Sequence, residues 1–120
     1  MKDFISGELT IKIEEGDGEV IMDWVGKSRD REPAKILIPY FNEIVDGVKG
    51  KKLVMDFRSL IIMNSSTVPP IVKFIKSLED GGVITEIFYD KNIEWQKASF
   101  KALETVTMRF QNITINGDKN

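Results

Sequence analysis

Residues Leu60 to Ile75 read LIIMNSSTVPPIVKFI. Three hydroxyl side chains, Ser65, Ser66 and Thr67, follow Asn64 and precede the prolines Pro69 and Pro70. Two kinds of chemistry fit such a cluster. A Ser, Thr or Asn at a helix start accepts a hydrogen bond from an otherwise unpaired backbone N–H and caps the helix. Thr67 could supply that cap, and prolines are tolerated behind it because first-turn N–H groups lack intrahelical partners. One cap needs one hydroxyl, so capping does not account for Ser65 and Ser66 as well. The second chemistry is phosphorylation, which adds about -1.5 to -2 charges and three acceptor oxygens. A helix N-terminus favours such an anion. The residues alone leave both roles open.

The rest of the chain narrows the chemistry by what it lacks. Of 120 residues none is cysteine and none is histidine. Disulfides, thiol nucleophiles, thiolate zinc sites and imidazole bases are therefore excluded. A serine nucleophile at Ser65 would need a lysine base such as Lys73 or Lys76. Both lysines fall on the helix side away from Ile71, Phe74, Ile75 and Leu78, where water is expected. Asp23 and Asp56 stand in or at the end of apolar strands, where turn and cap hydrogen bonding is their ordinary use. The expectation is a protein that is not an enzyme and has no cofactor and no metal.

The elements that must position the hydroxyls follow from periodicity. Leu9, Ile11 and Ile13 alternate with polar residues, as do Val20, Met22 and Trp24, and Gly16-Asp17-Gly18 lies between them. This predicts a β-hairpin. Pro33 after Glu32 marks a helix start. Ile36, Tyr40, Ile44 and Val48, with Leu37, Phe41 and Val45, give that helix a broad apolar face, with Pro39 either kinking it or starting its regular part. Lys52–Phe57 reads as a buried strand. Ile71, Phe74, Ile75 and Leu78 mark a second helix, closed by Gly81 or Gly82. Val83–Tyr89 reads as a strand. A third helix, capped by Asp90 or Asn92, is expected to bury Trp95, Ala98, Ala102 and Val106. Ile93 and Phe100 then fall on its other side, as a surface either open to a partner or covered by loops. Trp24 and Trp95 are expected in the core. TMRFQNITI supplies the last strand.

The order is β-β-α-β-α-β-α-β, about five strands and three helices. Alternating strand and helix implies parallel pairing through right-handed crossovers. The predicted fold class is α/β: a mixed sheet with an N-terminal antiparallel hairpin and parallel βαβ crossovers. The length fits one domain, residues 1–120, with a core of about 9–114 and a flexible tail at 115–120. The formal net charge of -2 gives no basic excess for tracking phosphates, so nucleic acid is not an expected partner. The apolar runs are too short to span a bilayer and the start shows no leader, so a cytoplasmic location is expected.

The segment from Lys51 to Asp90 resembles the core of a STAS domain, the fold of bacterial anti-sigma factor antagonists. That family carries a strand ending in aspartate, a short apolar segment, and Asp-Ser-[Ser/Thr]-Gly opening a helix. Here these correspond to Leu53–Phe57 with Asp56, then Leu60–Met63, then Asn64-Ser65-Ser66-Thr67. The family's Asp is Asn64 and its Gly is Thr67. Arg31-Glu32-Pro33 and Pro39-Tyr40 resemble a divergent branch of STAS-like phosphoproteins, found in partner-switching pathways of biofilm and cyclic-di-GMP signalling.

The resemblance implies a phosphorylation-switched interaction domain, with Ser65 as acceptor and Ser66 or Thr67 as second choices. Unphosphorylated, it would bind an anti-sigma-type serine kinase or another effector such as a diguanylate cyclase, and phosphorylation would release it. A PP2C-type phosphatase would reset it. Asn64, Ser65, Ser66, Thr67, Arg31 and Glu32 would form the partner surface, on a monomer or weak homodimer. The alternative is a STAS-like sensory or scaffolding module that is never phosphorylated and binds a nucleotide or small anion at the same helix terminus.

Overall fold

The computed structural model describes residues 1–117. The chain runs β1 Phe4–Ser6, β2 Leu9–Gly16, β3 Glu19–Ser28, α1 Pro33–Gly47, β4 Lys52–Asp56 and β5 Leu60–Met63. A single turn of 3-10 helix, Ser65–Thr67, leads into α2 Val68–Asp80. Then follow β6 Thr85–Phe88, α3 Glu94–Thr107 and β7 Ile113–Asn116. The α/β class, the hairpin, the parallel crossovers and the three helices are as the sequence predicts. The sheet has seven strands among the described residues rather than five. The two extra strands, β1 and β5, span three and four residues, too few for a periodic signal. Residues 118–120 of the expected tail lie outside the described residues. Its first two, Ile115 and Asn116, pair with Ile87 and Phe88 in β7.

The sheet order is β1-β2-β3-β4-β6-β7, with β5 also on β3. β2 and β3 are antiparallel about a two-residue turn at Asp17-Gly18, Gly18 taking the positive φ such a turn requires. From β3 onward every pair is parallel. The steps β3 to β4, β4 to β6 and β6 to β7 all go the same way. Right-handed crossovers stepping one way put all three helices on one face. Aromatic contacts trace that layer: Trp24 against Phe41 and Phe57, Phe41 stacked on Phe74 with ring centroids 4.3 Å apart, and Phe57 against Phe100. Among the described residues no helix is long and apolar enough to cross a membrane.

β3 is the longest strand, and it serves two neighbours in turn. β4 pairs with Glu19 to Asp23, and β5 with Gly26 to Ser28. The chain jogs between them at Phe57–Ser59, and the register shifts at Gly26/Lys27. Gly26 has φ +98, and a Cβ there would lie 2.1 Å from the Glu8 carbonyl oxygen. Only glycine fits this close approach.

Pro39 lies inside α1, which starts at Pro33 and continues past it to Gly47. The ring is exposed. The face of α3 corrects the sequence reading. Ala98, Ala102 and Val106 are exposed, whereas Gln96, Phe100, Leu103 and Thr107 are buried. The buried set recurs at four-, three- and four-residue steps, and the alanines are helix formers on the wet side. Phe100 is therefore core, stacked on Tyr89. Neither Asp90 nor Asn92 caps α3; Ile93 holds that position with no side-chain bond. Trp24 is fully buried, as expected. Trp95 is only half-buried, packed at the core's edge.

Candidate functional site

The site begins where β3 and β5 end. Trp24, Gly26 and Ser28 share the inward parity of β3, so Ser28 arrives buried beneath the start of α2. β5 stops at Met63, and the Asn64 N–H continues the ladder by donating to the Ser28 carbonyl at 2.9 Å. Asn64 is extended, with φ -76 and ψ 165, and its side chain turns back over the next three residues. Its Oδ1 accepts the Thr67 N–H at 3.2 Å and the Thr67 hydroxyl at 2.6 Å. With the Thr67 proton so committed, the Ser28 hydroxyl, 2.8 Å away, donates to Thr67 Oγ1. The Asn64 Nδ2 donates to the Asp30 backbone carbonyl at 2.8 Å.

The cap is therefore Asn64 and not Thr67. Thr67 is fully buried and holds the turn together from inside. That removes it as an accessible phosphoacceptor. Ser65 and Ser66 are exposed, and among the described residues neither side chain has a hydrogen-bond partner. Pro69 and Pro70 occupy the first turn of α2. They cost no helical bond there.

Around the two free hydroxyls lie mixed surfaces. The apolar side is Ile61 and Ile62 of β5, 64% and 41% exposed. The polar side is the loop between β3 and α1, brought in by the Asn64–Asp30 bond. Arg31 and Glu32 are exposed on it. Glu32 pairs with Lys35 at 2.7 Å, and Arg29 pairs with Glu8. Among the described residues Arg31 has no carboxylate partner. Lys73 and Lys76 are exposed on α2, as predicted, and no hydrogen bond joins either to Ser65. A groove of about 330 Å³ opens on the other side of Ser28, lined in part by Leu9, Lys27, Arg29, Pro33 and Leu37.

Residues beyond the sequence reading support the site from below. Gln96 is fully buried, and its Nε2 donates to the Phe57 and Leu60 carbonyls, each at 2.9 Å. Its Oε1 accepts the Asp90 N–H at 2.8 Å. Trp95 Nε1 donates to the Ile61 carbonyl at 2.7 Å. These bonds hold the jog and β5 against α3. The signal for Gln96 was there: a polar residue four before Phe100, on the same helical stripe.

Asp56 and Asp23 face each other across β4 and β3 on the sheet face opposite the helices. Burial pushes the Asp56 carboxyl up, but hydrogen bonds and charge from Arg58 outweigh it and leave it below the ordinary value. Asp56 accepts the Arg58 backbone N–H at 2.9 Å and two guanidinium bonds at 2.9 and 2.8 Å. Burial first, and the Asp56 charge second, push Asp23 above the ordinary value. Asp56 is thus bonded to the turn that follows its strand, whereas Asp23 lies within β3 and its side chain makes no hydrogen bond among the described residues.

Similarity to solved structures settles the fold. An anti-sigma factor antagonist from Mycobacterium paratuberculosis superposes with a TM-score of 0.64 at 14% identity, over 88% of this chain and 85% of that one. The chain has the fold of the anti-sigma factor antagonists. The unphosphorylated antagonist SpoIIAA shares this STAS-like fold, with a TM-score of 0.54 and 14% identity, over 80% of this chain and 96% of that one. So does a chain in the complex of the diguanylate cyclase SiaD with its activator SiaC from Pseudomonas aeruginosa. There the TM-score is 0.65 at 14% identity, over 98% of this chain and 100% of that one. No family model and no curated protein matches the sequence.

Proposed function

We propose that this protein is a phosphorylation-switched interaction domain whose acceptor is Ser65. The observation that carries the reading is the division of labour in the turn. Asn64 and Thr67 are consumed by internal bonds, while Ser65 stands exposed with its hydroxyl free. Modification there need break no bond of the fold. Ser66 shares the exposure and is the second candidate.

In the unphosphorylated state the Ser65 edge docks on a protein partner through Ile61, Ile62 and the Arg31–Glu32 loop. A serine kinase of the anti-sigma type esterifies Ser65. The added charge then opposes docking, because it must be desolvated against an apolar contact. A PP2C-type phosphatase restores the binding form. Ser65 does not catalyse its own modification; kinase and phosphatase supply the nucleotide, metal and base. The antagonist fold supports a partner-switching role, and the neighbour from the SiaD–SiaC complex supports a diguanylate cyclase as one class of effector.

The test is phosphate uptake measured by intact mass with a kinase encoded beside this gene and ATP. Wild type should gain one phosphate and Ser65→Ala none. Equal uptake by both would remove Ser65 from the role. Stoichiometric binding of ATP, GTP or cyclic-di-GMP in a calorimeter, with no phosphate uptake, would favour a ligand-sensing module instead.

A further inference from the structure

Asn64 joins two loops that are 34 residues apart in sequence. One end of its side chain only accepts, from Thr67; the other only donates, to Asp30. The carbonyl it grips is the one that leads directly into Arg31. A carboxylate at this position could keep the first half of the arrangement but not the second. It carries acceptors only, and its second oxygen would meet the Asp30 oxygen lone pair to lone pair. A neutral carboxyl group could restore both halves, accepting from Thr67 and donating to Asp30.

We propose that Asn64 is a positioning residue: its uncharged amide clamps the Arg31–Glu32 loop to the Ser65 turn, so that a partner meets the two as one surface. The inference rests on the reading of Ser65 as the switch site, but the clamp itself can be tested with neither partner nor phosphate. Opening it would free Arg31 and Glu32 to move relative to Ser65 while Thr67 still held the turn. The charged groups on the surrounding elements are Lys27 of β3, the Arg29–Glu8 and Glu32–Lys35 pairs, Asp30, Arg31 and Lys73 of α2. β5 and the 3-10 turn carry none.

The experiment is backbone ¹⁵N relaxation on wild type, Asn64→Asp and Asn64→Ala, at pH 7 and at about pH 3, below the ordinary Asp pKa of about 3.9. Wild type should hold residues 30–32 near the rigid order parameter of about 0.85 at both pH values. In Asn64→Asp these residues should fall towards about 0.6 at pH 7, with residues 65–67 unchanged, and recover on acidification. Asn64→Ala should lose order in residues 30–32 at both. A loop as ordered in Asn64→Asp at pH 7 as in wild type overturns the clamp, and so does a loss that acid does not reverse. If a variant does not fold, wild type alone suffices: one Asn64 side-chain N–H should exchange with water more slowly than those of exposed Asn42. Equal exchange overturns the proposal. A free loop with normal phosphate uptake sinks only the clamp; an intact clamp without uptake sinks only the acceptor assignment.

Discussion

α2 and α3 both start beyond the C-terminal ends of parallel strands, but their entries are closed in opposite ways. At α2 the closing side chain is Asn64, which lies before the helix and reaches forward. At α3 it is Gln96, which lies within the helix and reaches back to the Asp90 N–H and to the carbonyls of the β4–β5 connection. The α3 entry spends its polar side chain entirely on the fold. The α2 entry satisfies its turn with Asn64, Thr67 and Ser28 and leaves two hydroxyls over. The difference shows how a chemical handle can be added to a helix start without weakening it: the structural bonds and the free hydroxyls belong to different residues.

Breaking the α3 entry should have the largest effect. Gln96→Leu would leave the Phe57 and Leu60 carbonyls and the Asp90 N–H without their partner, at a cost of about 3 kcal/mol in urea unfolding. A loss below about 1 kcal/mol would mean that other groups close that entry. At the α2 entry, Thr67→Val keeps the shape and removes the shared hydroxyl. A loss of about 1–2 kcal/mol is expected. Adding Ser28→Ala should cost less in this background than alone, because the Ser28 hydroxyl has already lost its acceptor. Additive losses would show that the two hydroxyls act independently.

The exposed hydroxyls sharpen the contrast by doing little. Ser65→Ala and Ser66→Ala should each change stability by no more than about 0.5 kcal/mol. A larger loss at Ser65 would give it a structural duty and weaken its assignment as a free handle. The smallest effects belong to the open sheet face, where the pKa values of two neighbouring carboxylates are shifted in opposite directions. The folded-state pKa of Asp56 is depressed, so its contribution is full above the ordinary Asp value and is lost as pH falls through the folded value. Asp23 is raised, so its charge opposes folding at neutral pH and that cost disappears on acidification. Asp56→Asn should lower Tm at pH 7 and converge on wild type in acid, whereas Asp23→Asn should raise Tm slightly at pH 7. Parallel profiles for the two would refute the opposed shifts.

Local pattern made much of this legible. Alternation around Gly16-Asp17-Gly18 is enough for the β2–β3 hairpin, and the spacing of Ile71, Phe74, Ile75 and Leu78 for the buried face of α2. The hydroxyl cluster stands out because residue types alone show a surplus over what a cap needs, and Ser65 and Ser66 are the hydroxyls left exposed. Pattern failed at α3, where small Ala98 and Ala102 resemble a packing stripe although Phe100 and Leu103 fill it. It also failed for β5, whose unbroken apolar run has no period. The Asp30 carbonyl held by Asn64 and the Phe57 and Leu60 carbonyls held by Gln96 are more than thirty residues away, so nothing in their neighbourhoods reveals these bonds.

Gly26 acts as a vernier for the whole device. Because β4 and β5 lie end to end along one long neighbour, the jog beside this glycine sets how far the second segment travels before the turn begins. In a pleated ribbon a slip of one position exchanges the two sides. Ile61 would then change places with its sequence neighbours, and the alcohol at position 65 would leave the turn on the wrong heading. A methyl group at position 26, well away from the exposed hydroxyls, would thus misalign the turn that carries Ser65.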